Sequence, residues 1–233
     1  MDSGFVVEGF TPPPSPQGII LLGRFVRLEP LDPEDHAGDL FEANSLDGGK
    51  ENWDYLPYGP FDSFDDYKAW LDSVAGKDDP FFFAIIRASD NRAVGVASFL
   101  DIDCDNGNIE VGHINYSPLL QRTKEGTEAM FLMMQWAFES GYRRYQWRCN
   151  SLNAPSRYAA QRLGLSFEGI FRQRQIVKGR NRDTAWFAAI DSEWPALQQC
   201  FERYLSDDNF DADNKPLTSL SALTRPILVS IDN

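Results

Sequence analysis

The order of strand and helix patterns along this chain predicts an α/β fold built on one mixed (α+β) sheet. Three observations carry the expectation. The chain opens with a strand pattern followed by a capped helix, and three strand-like runs in its middle are joined by hairpin turns. A long apolar helix, a strand, a short helix and two final strands then follow in turn.

Residues 1–18 contain Thr11-Pro12-Pro13-Pro14-Ser15-Pro16, where proline removes the amide donor and fixes φ, so an extended arm is expected. From Ile19 the run through Phe25-Val26-Arg27-Leu28 reads as a strand or hairpin. Asp32 then serves as N-cap and Pro33 as the first residue of a helix. The stretch Trp53 to Pro60 is too rich in Pro and Gly to be regular. Ser63 to Ala75 has a cap and places Tyr67, Trp70, Leu71 and Val74 at helical spacing.

Strands are expected at Phe81–Ala88, Ala93–Ile102 and Asn108–Tyr116, separated by Asp90-Asn91-Arg92 and Asp105-Asn106-Gly107-Asn108. Lys124 to Ser140 is helical by propensity and apolar nearly all round, which implies burial against the sheet. Tyr145–Asn150 alternates as a strand with one apolar face, and a short helix runs from Asn153 to Leu163-Gly164. Strands at Ser166–Val177 and Thr184–Ile190 flank a turn at Lys178-Gly179-Arg180-Asn181. A helix at Ser192–Leu205 completes a domain spanning 19–205. Residues 206–233 then read as an acidic linker, Ser206–Lys215, and an apolar tail, Leu217–Ile231, which can cover the core, a sheet edge or a partner chain.

Composition bounds the function classes. The 233 residues carry a net charge of −13, which argues against nucleic acid, because phosphate binding needs clustered Lys and Arg. An amine-bearing substrate fits better, although Asp207, Asp208, Asp211 and Asp213 of the tail supply part of the acidity and solubility alone accounts for it. Cys104, Cys149 and Cys200 are odd in number and widely spaced, and only His36 and His113 stand beside them, so no metal site and a reducing compartment are expected. The opening Met1-Asp2-Ser3 has no basic region, and no stretch reaches the ~18 apolar residues of a membrane span. A cytoplasmic protein is the expectation.

The chemically informative stretch runs from Ile109-Glu110 through Ile114-Asn115-Tyr116 to Gln121-Arg122-Thr123-Lys124-Glu125-Gly126-Thr127. It reads as strand, loop and helix start. Outward amides at a helix N-terminus favour an anion, and Arg122 and Lys124 add charge there; an ordinary solvated turn has the same pattern.

Gln121 to Thr127 resembles the Q-x-x-G-x-G/A loop of the GNAT superfamily, with Lys124 where that family has its first glycine. The opening Gly23-x-x-Val26-Arg27-Leu28-x-Pro30-Leu31-x-Pro33-Glu34-Asp35 also fits, as do Asn153-x-x-Ser156 and Leu163-Gly164-Leu165-x-Phe167-Glu168-Gly169. Together they cover roughly residues 20–192, nearest to the ribosomal-protein-alanine N-acetyltransferase branch. The resemblance implies an acyl-coenzyme A fold with a splayed central sheet flanked by helices. It implies acetyl-CoA as cofactor, with its pyrophosphate on the amides of Gln121–Thr127 and its pantetheine arm between the strands at Ile109–Tyr116 and Tyr145–Asn150, against Ile114, Asn115 and Tyr116. Asn153 and Ser156 would lie near the thioester, and both are also good helix caps.

Acetyl transfer to an amine requires the amine neutral and the leaving thiolate protonated. The resemblance places a proton-accepting carboxylate at Glu110, for which a structural ion pair is the other reading. It places alanine, Ala160, where relatives carry a tyrosine acid. Ser156 is then the thiol's proton donor, since Tyr158 would point elsewhere on the helix. Trp53, Tyr55 and Tyr58 are candidates for the acceptor pocket, as is Gln173 with Gln175; Arg180, Arg182 and Asp183 read as a turn and its salt bridges. The acceptor is a small-molecule amine or a protein N-terminus. A non-catalytic acyl-CoA-binding module and a protein that forms a homodimer through its arms are the competing classes.

Overall fold

The computed structural model describes residues 4–46 and 50–232. The strands are β1 (Leu21–Leu22), β2 (Val26–Pro30), β3 (Phe81–Arg87), β4 (Arg92–Asp103), β5 (Asn108–Tyr116), β6 (Arg144–Asn150), β7 (Ser166–Val177) and β8 (Arg180–Ile190). They form one sheet in the order β1-β2-β3-β4-β5-β6-β8-β7. All neighbours are antiparallel except β5 and β6, which are parallel. A parallel pair needs a long crossover, and helix α3 (Lys124–Glu139) supplies it.

The other helices are α1 (Pro33–Asn44), α2 (Phe64–Val74), α4 (Ala154–Arg162), α5 (Trp194–Leu205) and α6 (Leu220–Thr224). Side-chain caps start α1, α2 and α4 at the residues the sequence offered, and Thr123 caps α3 as well. Asp32 Oδ1 accepts from the Glu34 amide at 2.9 Å, and Ser63 Oγ from Asp66 at 3.1 Å. Thr123 Oγ1 accepts from Gly126 at 3.0 Å and Asn153 Oδ1 from Ser156 at 3.2 Å.

The sheet is covered on both faces. Phe81, Phe83 and Ile85 pack with α3 and α5, whereas Phe82, Ala84 and Ile86 pack with α1, α2 and Trp53. A strand alternates faces at every residue, so this double burial explains why Phe81–Ile86 reads as an unbroken apolar run.

The last hairpin differs from the expectation. β8 starts at Arg180, not Thr184, because Val177↔Arg180, Ile176↔Asn181 and Gln175↔Arg182 already pair around a two-residue turn. Lys178 and Gly179 both have positive φ, 49° and 73°, the geometry that matches strand twist. Arg180 and Asn181 of this extension are exposed and Arg182 and Asp183 half-buried, and all four are polar, so no apolar alternation marks them as strand. Its tip is tied down: Lys178 Nζ donates to the carbonyls of Trp53 at 3.0 Å, Tyr58 at 3.3 Å and Gly59 at 2.9 Å.

The termini close on the same core. Tyr142 Oη donates to the Pro14 carbonyl at 3.0 Å, holding the proline-rich arm. In the C-terminal segment Leu220 is fully buried against α4 and α5, and the Val229 amide donates to Ser166 Oγ at 3.0 Å beside edge strand β7. Asp232 forms an ion pair with Arg157. The tail therefore covers the core and a sheet edge of its own chain.

Candidate active site

The site begins where the two parallel strands part. β5 and β6 pair from Asn108↔Arg144 to Val111↔Trp147 and no further. Beyond that point β5 stays with β4 through Val96↔Asn115 and Gly95↔Tyr116, while β6 stays with β8 through Cys149↔Ala185 and Asn150↔Thr184. His113, with φ 50°, sits at a register shift of the β4–β5 pair, and such a bulge bends a strand. The gap opens into a cleft of about 280 Å³ lined by Gly112, His113 and Ile114 on one side and Trp147 to Asn150 on the other. The inner edge of each strand is left without a strand neighbour there, which is the hydrogen-bonding surface an extended chain needs.

One end of this gap meets the N-terminus of α3. Among the described residues the amides of Arg122, Thr123, Lys124 and Glu125 have no hydrogen-bond acceptor in the protein. Unpaired amides at a helix start favour an anion. Gly126 is required beside them: a Cβ there would lie 2.7 Å from the Leu120 carbonyl oxygen and 2.9 Å from the Tyr116 ring. The left-handed conformation falls on Arg122, φ 60°, and Lys124 is an ordinary first helical residue. The substitution of Lys124 for glycine thus adds no strain. Its ammonium lies over the rings of Phe25 at 4.4 Å and Phe210 at 5.4 Å.

Several residues expected at the coenzyme are engaged otherwise. Gln121 Nε2 donates to Asn52 Oδ1 at 2.6 Å and to the Tyr116 carbonyl at 2.9 Å, lashing the loop to the 50s segment. Tyr116 Oη donates to the Gly126 carbonyl at 2.8 Å, and Thr127 Oγ1 donates to the Thr123 carbonyl. Asn115 is buried outside the cleft, its side-chain amide unpaired, so of Ile114, Asn115 and Tyr116 only Ile114 lines the cleft.

The chemical groups lie at the junction itself. Glu110, on the last paired turn of β5, is 3% exposed. Burial pushes its carboxyl up to about 7; Arg148 on β6 opposes the shift and Asp101 reinforces it. The Arg148 Nε sits against Glu110 Oε2 as an ion pair. Arg148 also pairs with Asp101 at 2.5 Å and lies 4.8 Å over the Trp186 ring. Burial likewise holds the His113 imidazole down at about 4, with Arg182 and Arg148 adding to the effect.

Across the gap, Trp147 Nε1 donates to Ser156 Oγ at 3.0 Å. The hydroxyl keeps its own proton as a donor, with the Cys149 sulfur within its reach. Asn153 lines the cleft and caps α4 at once. Tyr158 is exposed and meets Ser221 at 3.3 Å, and Ala160 is fully buried, so neither serves the cleft. Burial pushes the Cys149 thiol up, away from thiolate chemistry.

The acceptor wall corrects three expectations. Tyr55 lines the cleft and its Oη donates to the Leu152 carbonyl at 3.1 Å, spanning the mouth. Trp53 does not line it: only 3% exposed, it packs edge-on against Phe61, Tyr67 and Trp70. Tyr58 stacks on His113 and hydrogen-bonds its Nδ1 at 2.9 Å, backing a cleft residue without lining the cleft. Gln173 lies in a separate depression with Arg172 and Asn181, its amide donating to Asp183 at 2.7 Å. Its neighbours Arg174 and Gln175 line the cleft in its place, together with Arg182, which forms no turn salt bridge among the described residues.

The sequence pattern gave no role to Arg148 or Arg174 and read Arg182 as a turn residue. The signal for Arg148 was present, since alternation in β6 puts it on the face opposite Tyr145, Trp147 and Cys149, the face that holds Glu110 on the neighbouring strand. Among the described residues, no group of His, Cys, Asp and Glu side chains forms a metal site, and no helix is long and apolar enough to cross a membrane.

Comparison with known proteins bears on this geometry. The family model described as an acetyltransferase (GNAT) domain matches residues 26–166. A GCN5-related N-acetyltransferase from Brucella melitensis is 44% identical, with a TM-score of 0.91 over 94% of this chain and 100% of that one. A probable GNAT-family acetyltransferase from Chromobacterium violaceum is 39% identical, with a TM-score of 0.77 over 83% of this chain and 97% of the other. A Salmonella typhimurium acetyltransferase that modifies the N-terminal serine of a 50S ribosomal subunit protein shares the fold at 19% identity and a TM-score of 0.62, over 74% of this chain and 99% of its own. No curated protein matches. The parted strands, the open helix N-terminus and these likenesses agree, and the chain belongs to the GNAT acetyltransferase family of acyl-transferring enzymes.

Proposed function

We propose that this chain is an acetyl-CoA-dependent N-acetyltransferase that passes an acetyl group directly to a small primary amine. One observation carries the reading: the parallel strands part immediately beyond a buried carboxyl held up at about 7, so an open strand edge and a proton acceptor share one cleft. The family supports acyl transfer, and the residues suit the coenzyme. The free amides of Arg122 to Glu125 fit its pyrophosphate, the edges beyond Val111 and Trp147 fit its pantetheine amides, and Asn153 and Ser156 fit the thioester end. The bound coenzyme would supply the acetyl group as an activated thioester.

The chain's own groups do the rest. Glu110 takes a proton from the incoming ammonium, directly or through water; near neutral pH a carboxyl of this kind is part ionised and able to accept one. Ser156 donates its hydroxyl proton toward the leaving thiol. His113 stays neutral and, tied to Tyr58, holds the bulged edge of β5 in place. The pinned hairpin tip and Tyr55 narrow the mouth, which favours a small amine over a folded protein terminus. The free cysteines fit a reducing, cytoplasmic setting.

Titration calorimetry with acetyl-CoA tests the reading. Binding in the micromolar range is expected, followed by thiol release with an amine panel. Absence of heat at several temperatures, with no thermal stabilisation by the ligand, overturns it.

A further inference from the structure

Charge in the cleft runs opposite to charge in the chain. The protein carries −13 overall, yet the cleft is lined by three arginines, Arg148, Arg174 and Arg182, against one carboxylate, Glu110. Arg148 is neutralised, since it pairs with both Glu110 and Asp101. Arg182 is not. It is half-buried on β8, its Nε is buried without a hydrogen-bond partner, and no ion pair reaches its guanidinium among the described residues. Arg174, exposed on the paired strand, is likewise without one.

A half-buried guanidinium gives up hydration and regains it only through an acceptor. Elsewhere in this molecule such groups mostly find one, as Arg144 does in Glu168, Arg157 in Asp232, and Arg92 in Asp39 and Glu42, while Arg143 lies over the Phe10 ring. The coenzyme does not account for the exception. Its phosphates belong at the α3 amides, and the part that enters the gap between β5 and β6 is uncharged. The two free arginines stand instead on the β7–β8 hairpin, across the cleft from Tyr55 and Leu56.

We infer that the acceptor is a primary amine that itself carries an anionic group, a carboxylate or a phosphate, which Arg182 and Arg174 bind while Glu110 receives the proton of the amine. The inference rests on the acetyl-transfer reading and narrows its substrate class. A planar guanidinium meets either anion through paired N–H donors, and the fork geometry also orients the amine toward the junction.

Matched amines decide it: alanine against alaninamide for the carboxylate, O-phosphoethanolamine against ethanolamine for the phosphate, with acetyl-CoA and thiol release as readout. The expected result is a preference in kcat/KM of about 10- to 100-fold for the anionic member of at least one pair, the range of a charged hydrogen bond. Arg182→Gln should collapse that preference through KM, Arg182→Lys should keep part of it, and Arg180→Gln, on the exposed turn, should leave it intact. Arg174→Gln, at a solvated position that folding does not depend on, repeats the test should Arg182→Gln fail to fold. Calorimetry of the same pairs on the coenzyme A-loaded protein reads the preference without chemistry. Neutral amines that bind and react as well as anionic ones overturn the anion site and leave acetyl transfer standing. Anion-selective binding without any thiol release supports the site and sinks the transfer. Failure of every panel member to bind overturns the inference.

Discussion

The two ends of the cleft are assembled in different ways. The α3 end, with its free amides, comes from one continuous stretch, Glu110 to Thr127, in which a strand, a tight loop and a capped helix follow each other within 18 residues. The acceptor end draws on the 50s loop, on β6 and on a hairpin some 120 residues further along, locked together by Lys178 on the carbonyls of Trp53, Tyr58 and Gly59. The first end is a local object whose form follows from neighbours in sequence. The second exists only when distant segments meet, and that is where family membership says least about the substrate.

Substitutions can break or sharpen this contrast. The largest effect is expected at the junction: Glu110→Gln should lower kcat by about 10²–10⁴-fold while acetyl-CoA binding persists in calorimetry. A drop of less than about tenfold would make Glu110 a structural ion-pair partner of Arg148 and move the chemistry elsewhere. Next is Trp53→Ala, which removes a buried ring and should cost about 3–5 kcal/mol in chemical denaturation. Tyr55→Ala, on a ring that is 38% exposed, should leave stability nearly intact and raise the KM for the amine. Equal stability losses would erase the distinction between a core anchor and a cleft wall.

At the α3 end, Gly126→Ala forces a Cβ to 2.7 Å from the Leu120 carbonyl oxygen. A loss of about 1–3 kcal/mol is expected from this overpacking, together with weaker acetyl-CoA binding, and a melting curve with and without ligand separates the two. Arg122→Ala should have the smallest effect, a weakening of about 2- to 5-fold that fades with added salt, because the backbone amides rather than the exposed side chain face the anion.

The pH dependence follows from Glu110. As a base it works ionised, so kcat/KM should rise with pH through about 7. Arg148→Met removes the opposing cation and should move that limb upward. Stability runs the other way. The folded protein keeps the Glu110 proton to higher pH than the unfolded chain does, so this group's contribution is fully present below the ordinary value of 4.5 and is lost as pH rises to about 7. Denaturant melts of Glu110→Gln should show a flatter profile across that window.

Elements bounded by strong local chemistry were legible in advance. Asp32-Pro33, Ser63 and Asn153 begin helices because a side-chain oxygen two or three residues back satisfies a free amide, a rule that operates without tertiary contact. The β3 run Phe81–Ile86 announced a strand buried on both faces. The polar start of β8 did not announce itself, since Arg180-Asn181-Arg182-Asp183 contains no apolar residue to alternate. Net charge misled in a similar way: acidity spread over the surface and tail says nothing about a cleft lined by three arginines.

By itself, then, the sequence determined the mixed sheet and the order of its elements, because each depends on spacing within one strand or turn, while its resemblance to the GNAT superfamily pointed to the α3 loop and Glu110 as candidates. Only the tertiary structure decided which ring is core and which is wall among Trp53, Tyr55 and Tyr58, and that Arg182 waits without a carboxylate. Those facts depend on burial and on which residues meet in space, from Trp53 against Trp70 to Lys178 on the Trp53 carbonyl, and no local pattern encodes the distance between segments that meet only when the sheet has formed.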